Sequence, residues 1–196
     1  FHSVTHKAPT SIMVLFVLCI KADLDGVRSL SFTEDTNVCI DIRNPLSDYE
    51  VREKVVFNLN EQLEQEENSR EPPCNFAIKW EGSKKRSVIE VLDAAAAKSA
   101  FKKLGKKANK HGAEFSEPRE VKGDDSGDFV PILALECRGV EPYAFHPIGG
   151  EFVVISEGGA KFEDDVDFSE GDWADYDEEN DIAVSITEFE SKFISA

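Results

Sequence analysis

The chain has 196 residues, 41% of them hydrophobic, enough for a core that folds without disulfide or metal staples. Its 22 Lys and Arg stand against 39 Asp and Glu, a formal charge of −17, which excludes general attraction to phosphate backbones or anionic lipid unless a local basic segment supplies it. Four cysteines, at 19, 39, 74 and 137, are too few and too irregularly spaced for a secreted disulfide framework, and three stand in apolar runs where a thiol packs as a small hydrophobe.

In chain order, residues 1–10 form a polar N-terminal extension. The start at Phe1, with His2 and His6 close by, fits the remnant of a cleaved organellar presequence as well as a truncation. SIMVLFVLCI, 11–20, is about half the length a helix needs to cross a bilayer and is rich in β-branched residues, so it predicts a buried strand and no transmembrane helix. Further strands are expected at Val38–Ile42, Glu53–Asn60, Cys74–Trp80, Ser87–Leu92, Glu151–Ser156 and Ile182–Phe193. Between them NEQLEQEENSREPP, 60–73, reads as an exposed loop closed by Pro72 and Pro73. AAAAKSAFKKLGKKANKHG, 94–112, predicts a helix with Gly112 as its stop.

At an offset of 113 residues, FVLCIKADLDGVRSLSF (16–32) aligns with FVPILALECRGVEPYAF (129–145), with Phe16, Val17, Gly26, Val27 and Phe32 repeated. Both segments read as apolar strand, acid, Gly-Val, short apolar strand. The expected fold is mainly β, two related sandwich-like or barrel-like halves at 11–93 and 118–196, with a basic helix and linker inserted at 94–117.

EDDVDFSEGDWADYDEEND, 163–181, holds eleven acids and three aromatics. An EF-hand register fails in it: counted from Asp167, Glu178 falls at position 12 but Gly171 and Asp172 occupy positions 5 and 6. A solvated acidic loop anchored by Phe168, Trp173 and Tyr176 is expected instead. Histidines at 2, 6, 111 and 146 belong to no nucleophile elbow or zinc-protease pair, so nothing nominates an enzyme. The basic exception is the helix, where Lys98, Lys102, Lys103, Lys106, Lys107 and Lys110 give +6 without an acid while the rest of the chain carries −23. Ala97, Phe101 and Leu104 form its apolar stripe, so it either simply covers the core or docks onto an acidic protein surface, RNA or anionic lipid.

ECRGVEP, 136–142, followed by EGDWADYDEENDIAVSITEFESKF, 170–193, resembles the eukaryotic CXXC-motif-containing zinc-binding protein family. KADLDGVRSL, 21–30, is similar to that family's opening. The resemblance implies a β-rich fold of two related halves and one zinc held by two C-x-x-C pairs, each pair letting one tight turn deliver two sulfurs. The chain departs from this pattern. Where the first pair would fall, after VCIDI, it reads RNPLSDYE, and the second is expected to survive only as Cys74 of Cys74-Asn75-Phe76-Ala77. Zinc is therefore expected to be lost, with no cofactor in its place. Cys137 is expected to pack, Arg138 and Gly139 to form a turn with Pro142 just beyond, and Trp173 and Tyr176 to be structural.

The expected function is that of a non-catalytic accessory subunit of a larger assembly. Its partners would be other protein subunits, not nucleic acid, with a peripheral lipid contact through the basic helix as one arrangement. A mitochondrial membrane complex such as a divergent ATP synthase is the leading assembly, and the cytoplasm the other location. The alternatives are a free-standing metal- or redox-linked binding protein and an enzyme with an unfamiliar site.

Overall fold

The computed structural model describes residues 12–47, 49–64, 72–105, 112 and 114–195. Its central element is β1 (Met13–Asp25), whose alternation sorts side chains to two sides. Phe16, Leu18 and Ile20 enter the main core, while Leu15, Val17 and Cys19 face a smaller one. A strand buried on both faces reads as an unbroken apolar run, which is why 11–20 carries so little polarity.

Gly26 turns β1 into β2 (Val27–Phe32) at φ +66°, and a Cβ there would lie 2.1 Å from the Ala183 carbonyl oxygen. The chain then forms β3 (Asn37–Arg43), β4 (Val51–Asn58), β5 (Phe76–Ile78), β6 (Ser87–Val91) and the helix α1 (Ala94–Leu104). β7 (Val121–Lys122), β8 (Val130–Arg138), β9 (Glu141–His146), β10 (Phe152–Ser156), β11 (Lys161–Phe162), β12 (Trp173–Asp177) and β13 (Ile182–Ser195) follow.

The strands make three antiparallel sheets, ordered β12-β13-β1-β8-β6-β5, β11-β10-β2-β7 and β4-β3-β9. The first curls as a half-barrel around the main core, where Phe152 packs against Phe32, Phe145, Phe168 and Phe189. α1 closes the other side of that sheet, burying Ala97, Ala100 and Phe101 over Leu15, Val17, Cys19 and Ala134. Two prolines lie in strands where the pairing is irregular: the register shifts between Leu18 and Cys19 opposite Pro131, and between Asp41 and Ile42 opposite Pro142. That is where a residue without an N–H is tolerated.

The mainly β reading and its strands agree with the structure, with three differences. The expected strand Cys74–Trp80 contracts to Phe76–Ile78, because Asn75 spends its side chain on loop carbonyls and Trp80 opens a turn. The helix closes earlier than Gly112, at Gly105, whose φ of +51° and N–H bond to the Phe101 carbonyl end it. The likeness at an offset of 113 residues amounts to a shared corner, β1–Gly26–β2 and β8–Gly139–β9, with φ of +66° and +67° at the two glycines. It does not extend to two separable halves, since every sheet takes strands from both 11–93 and 118–196.

Candidate functional site

The ECRGVEP corner is built for packing. Cys137 is 1% exposed in β8, between Val14 of β1 and Ile89 of β6, and burial pushes its thiol far up. Arg138 donates to the Met13 sulfur, and Gly139 turns the chain and offers its carbonyl to the Trp80 indole N–H at 2.7 Å. Pro142 is buried opposite Ile42. Cys19 lies under α1, its thiol pushed up to about 12 by burial and then by Glu114. A thiol so hard to ionise is a poor nucleophile or metal ligand at neutral pH.

In the acidic stretch, Phe168 stacks on Phe189 at 4.8 Å, and Trp173 packs edge-on against Phe162 while its indole N–H donates to the Asp165 carbonyl at 3.1 Å. Tyr176, expected as a third anchor, is 47% exposed and reaches back to Asp181 over the β12–β13 turn. The anchor that sequence reasoning missed is Asp177. It is buried and accepts from the Ser156 hydroxyl at 2.5 Å and from the Asn180 amide group at 3.0 Å. Nothing marks it among eleven acids except strand parity: four residues beyond Trp173 in β12, it shares that residue's inward face.

Two short turns space a first and a fourth residue as a C-x-x-C pair would. The β3–β4 connection begins with Asn44–Ser47, closed by the Ser47 N–H on the Asn44 carbonyl at 3.1 Å. After β5 comes Trp80–Ser83, closed in the same way at 3.1 Å. Each presents positions i and i+3 as a C-x-x-C pair does, but the residues at those positions are Asn and Ser in one and Trp and Ser in the other.

Cys74 belongs to neither turn. Its carbonyl accepts from Leu63, and the next residue, Asn75, donates to the carbonyls of Asn58, Leu59 and Glu61, all at the far end of β4. The Asn44–Ser47 turn precedes the near end of that strand, roughly 20 Å away for eight residues of strand. Cys39 is buried in β3 opposite Val56 and His146, and the imidazole of His146 lies 2.8 Å from the Asp41 carboxylate. Among the described residues no three His, Cys, Asp or Glu side chains converge to hold a metal ion. The donors at the two turns do not fit a tetrathiolate zinc centre.

α1 is capped by Asp93, whose carboxylate accepts from the Ala96 N–H at 2.8 Å, and Phe101 packs on Phe115. Lys98, Lys102 and Lys103 are exposed on the side away from the sheet. Lys106, Lys107 and Lys110 lie outside the described residues, as does part of the 60–73 loop.

The fold is an antiparallel β protein in which the Asn44–Ser47 and Trp80–Ser83 turns carry no cysteine. The model of the eukaryotic family "CXXC motif containing zinc binding protein" matches residues 17–194, and the chain belongs to that family. The family's rat and human proteins are 30% identical over 159 residues, which is 72% of this chain and 98% of each relative. A UPF0587 protein of Drosophila melanogaster is 52% identical over 71 residues, 36% of this chain and 43% of its own length. Among solved structures, a hypothetical protein from Plasmodium falciparum superposes with a TM-score of 0.73 at 26% identity, over 92% of this chain and 99% of that one. The crystal structure of C1orf123 gives 0.71 at 22% identity, a likeness of fold.

Proposed function

We propose that the chain is a non-catalytic accessory subunit that docks onto other protein subunits of a larger assembly. The observation that carries this reading is α1: its apolar side is spent on the sheet, and its exposed lysines, Lys98, Lys102 and Lys103, form a cationic face on a chain of net charge −17. Such a face is complementary to an acidic protein surface. The thiols of Cys19 and Cys137, which burial makes hard to ionise, together with two turns that lack ligands, support a scaffold without resident zinc or redox chemistry.

Within this reading a peripheral place on a mitochondrial membrane complex, with a divergent ATP synthase the first to test, is favoured over a ribosomal one, because the acidity opposes intimate RNA contact. The experiment is the native size of the endogenous protein in mild detergent, with mass spectrometry of what co-migrates. Co-migration with a large complex names the partners, whereas migration at the mass of a single chain overturns the subunit reading.

A second reading follows from the zinc binding for which the family is named: a free-standing metal- or redox-linked binding protein. It requires about one stoichiometric zinc in chelator-washed protein and a reactive Cys74, neither of which a scaffold subunit would show.

A further inference from the structure

A zinc knuckle joins two tight turns by sharing one ion between them, and removing the thiolates would leave those turns untied. Here they are tied by Glu50, the last residue of the β3–β4 connection. One carboxylate oxygen accepts from the Asn44 side-chain amide at 2.5 Å, within the first turn. The other accepts from the Glu81 backbone N–H at 3.1 Å, inside the second turn. The first turn is closed further by the Asn44 N–H on the Glu50 carbonyl at 2.8 Å and by the Leu46 N–H on the Asn44 side-chain oxygen at 3.0 Å. Two residues on, the Arg52 guanidinium lies 5.6 Å from the centre of the Trp80 ring, a cation–π contact across the same gap.

We propose that in this chain the Glu50 carboxylate, not a metal ion, joins the Asn44–Ser47 and Trp80–Ser83 turns. The second turn of the pair is then Trp80–Ser83 and not the segment at Cys74. Each feature of the site fits that exchange. Asn44 supplies a donor where a thiolate would supply an acceptor. Trp80, its indole fixed on the Gly139 carbonyl, fills the inner side of the second turn and offers its face to Arg52. An anion accepting an N–H from each turn is a charge-assisted link, stronger than a neutral one and independent of metal supply.

The test compares the full chain with Glu50→Gln and Glu50→Ala by backbone hydrogen exchange and thermal unfolding, each with excess zinc and with chelator. The expected result is that both substitutions speed exchange of the Glu81 amide at least about tenfold while β1 keeps its protection. Melting should fall by about 2–4 °C, and zinc or chelator should change none of these values. An Asn44→Ala substitution should add nothing to the Glu81 exchange rate once Glu50 is gone. Unchanged Glu81 exchange in both Glu50 variants would overturn the link. So would one tightly bound zinc per wild-type chain whose removal alone exposes the Glu81 amide. Neither outcome depends on which assembly the chain joins.

Discussion

The Ser156 hydroxyl donates to the Asp177 carboxylate across 2.5 Å in the interior, tying β10 of one sheet to β12 of another. The same hydroxyl oxygen accepts from the Gly159 and Ala160 N–H groups, so one serine organises a turn and anchors an acid. These bonds, that from Ser156 foremost, hold the Asp177 carboxyl below the usual range. A group depressed in the folded state stabilises above its unfolded pKa and loses that contribution as pH falls through the folded one. Thermal melts of wild type should therefore decline below about pH 4, and Asp177→Asn should melt lower at neutral pH and decline less on acidification. Equal slopes for the two proteins would refute the assignment.

Glu151 is the opposite case. It is 2% exposed, one oxygen accepts from the Ile148 N–H at 2.9 Å, and the other has no hydrogen-bond partner among the described residues. Burial raises its pKa, backbone N–H groups offsetting part of the effect. A raised acid favours the folded state when protonated, so its contribution is lost as pH climbs from about 4.3, the unfolded value, through the folded one. Glu151→Gln should raise the melting temperature at pH 7 and flatten that part of the profile. A lower melting temperature at every pH would show that the charge itself is needed.

Lys54 sits at φ +52° in the irregular part of β4, and its N–H donates to the Asp41 carboxylate at 2.7 Å. A side chain in that region costs energy that glycine does not incur, so Lys54→Gly should raise stability in urea by about 0.5–1 kcal/mol. Asp41→Ala should cost about 1–3 kcal/mol, because it strips the Lys54 N–H of its acceptor and removes the carboxylate beside the His146 imidazole.

Glycines with the same sign of φ should differ in their need for glycine. Gly26→Ala drives a Cβ into the Ala183 carbonyl and should cost about 3 kcal/mol or more in urea unfolding. Gly82→Ala meets nothing within 4 Å and should cost only the backbone strain, about 1 kcal/mol.

On α1, packing and charge separate cleanly. Phe101→Ala should destabilise by about 3 kcal/mol or more, since the ring fills the smaller core. Lys98→Glu, Lys102→Glu and Lys103→Glu together should keep the fold while abolishing assembly in a pull-down. Unchanged assembly would remove the helix from the interface.

Long apolar runs such as 13–20 were legible because a strand covered on both faces leaves no room for polar residues. β12 was not, because only Trp173 and Asp177 of its five residues face inward, and one of those is an acid. The helix was legible from alanine and lysine content, its end less so, since a left-handed Gly105 followed by more lysines looks continuous in composition. The second turn proposed above could not be picked out for a similar reason. Cysteine was the only chemical flag to follow, and the turn that meets the first one, Trp80–Ser83, carries none. Glu50 could be recognised only once the fold had brought it to Glu81, thirty-one positions away.

The central strand β1 has β13 on one side and β8 on the other, the first strand among the described residues paired with the last. During synthesis the apolar residues of 13–20 therefore emerge far ahead of the segments that cover them, and β1 gains its second neighbour only after residues 182–195 have been made. Completion of this sheet must wait for residues 182–195, so a ribosome stalled within the acidic stretch would present to the cell's chaperones a β1 still open along one edge and prone to aggregate.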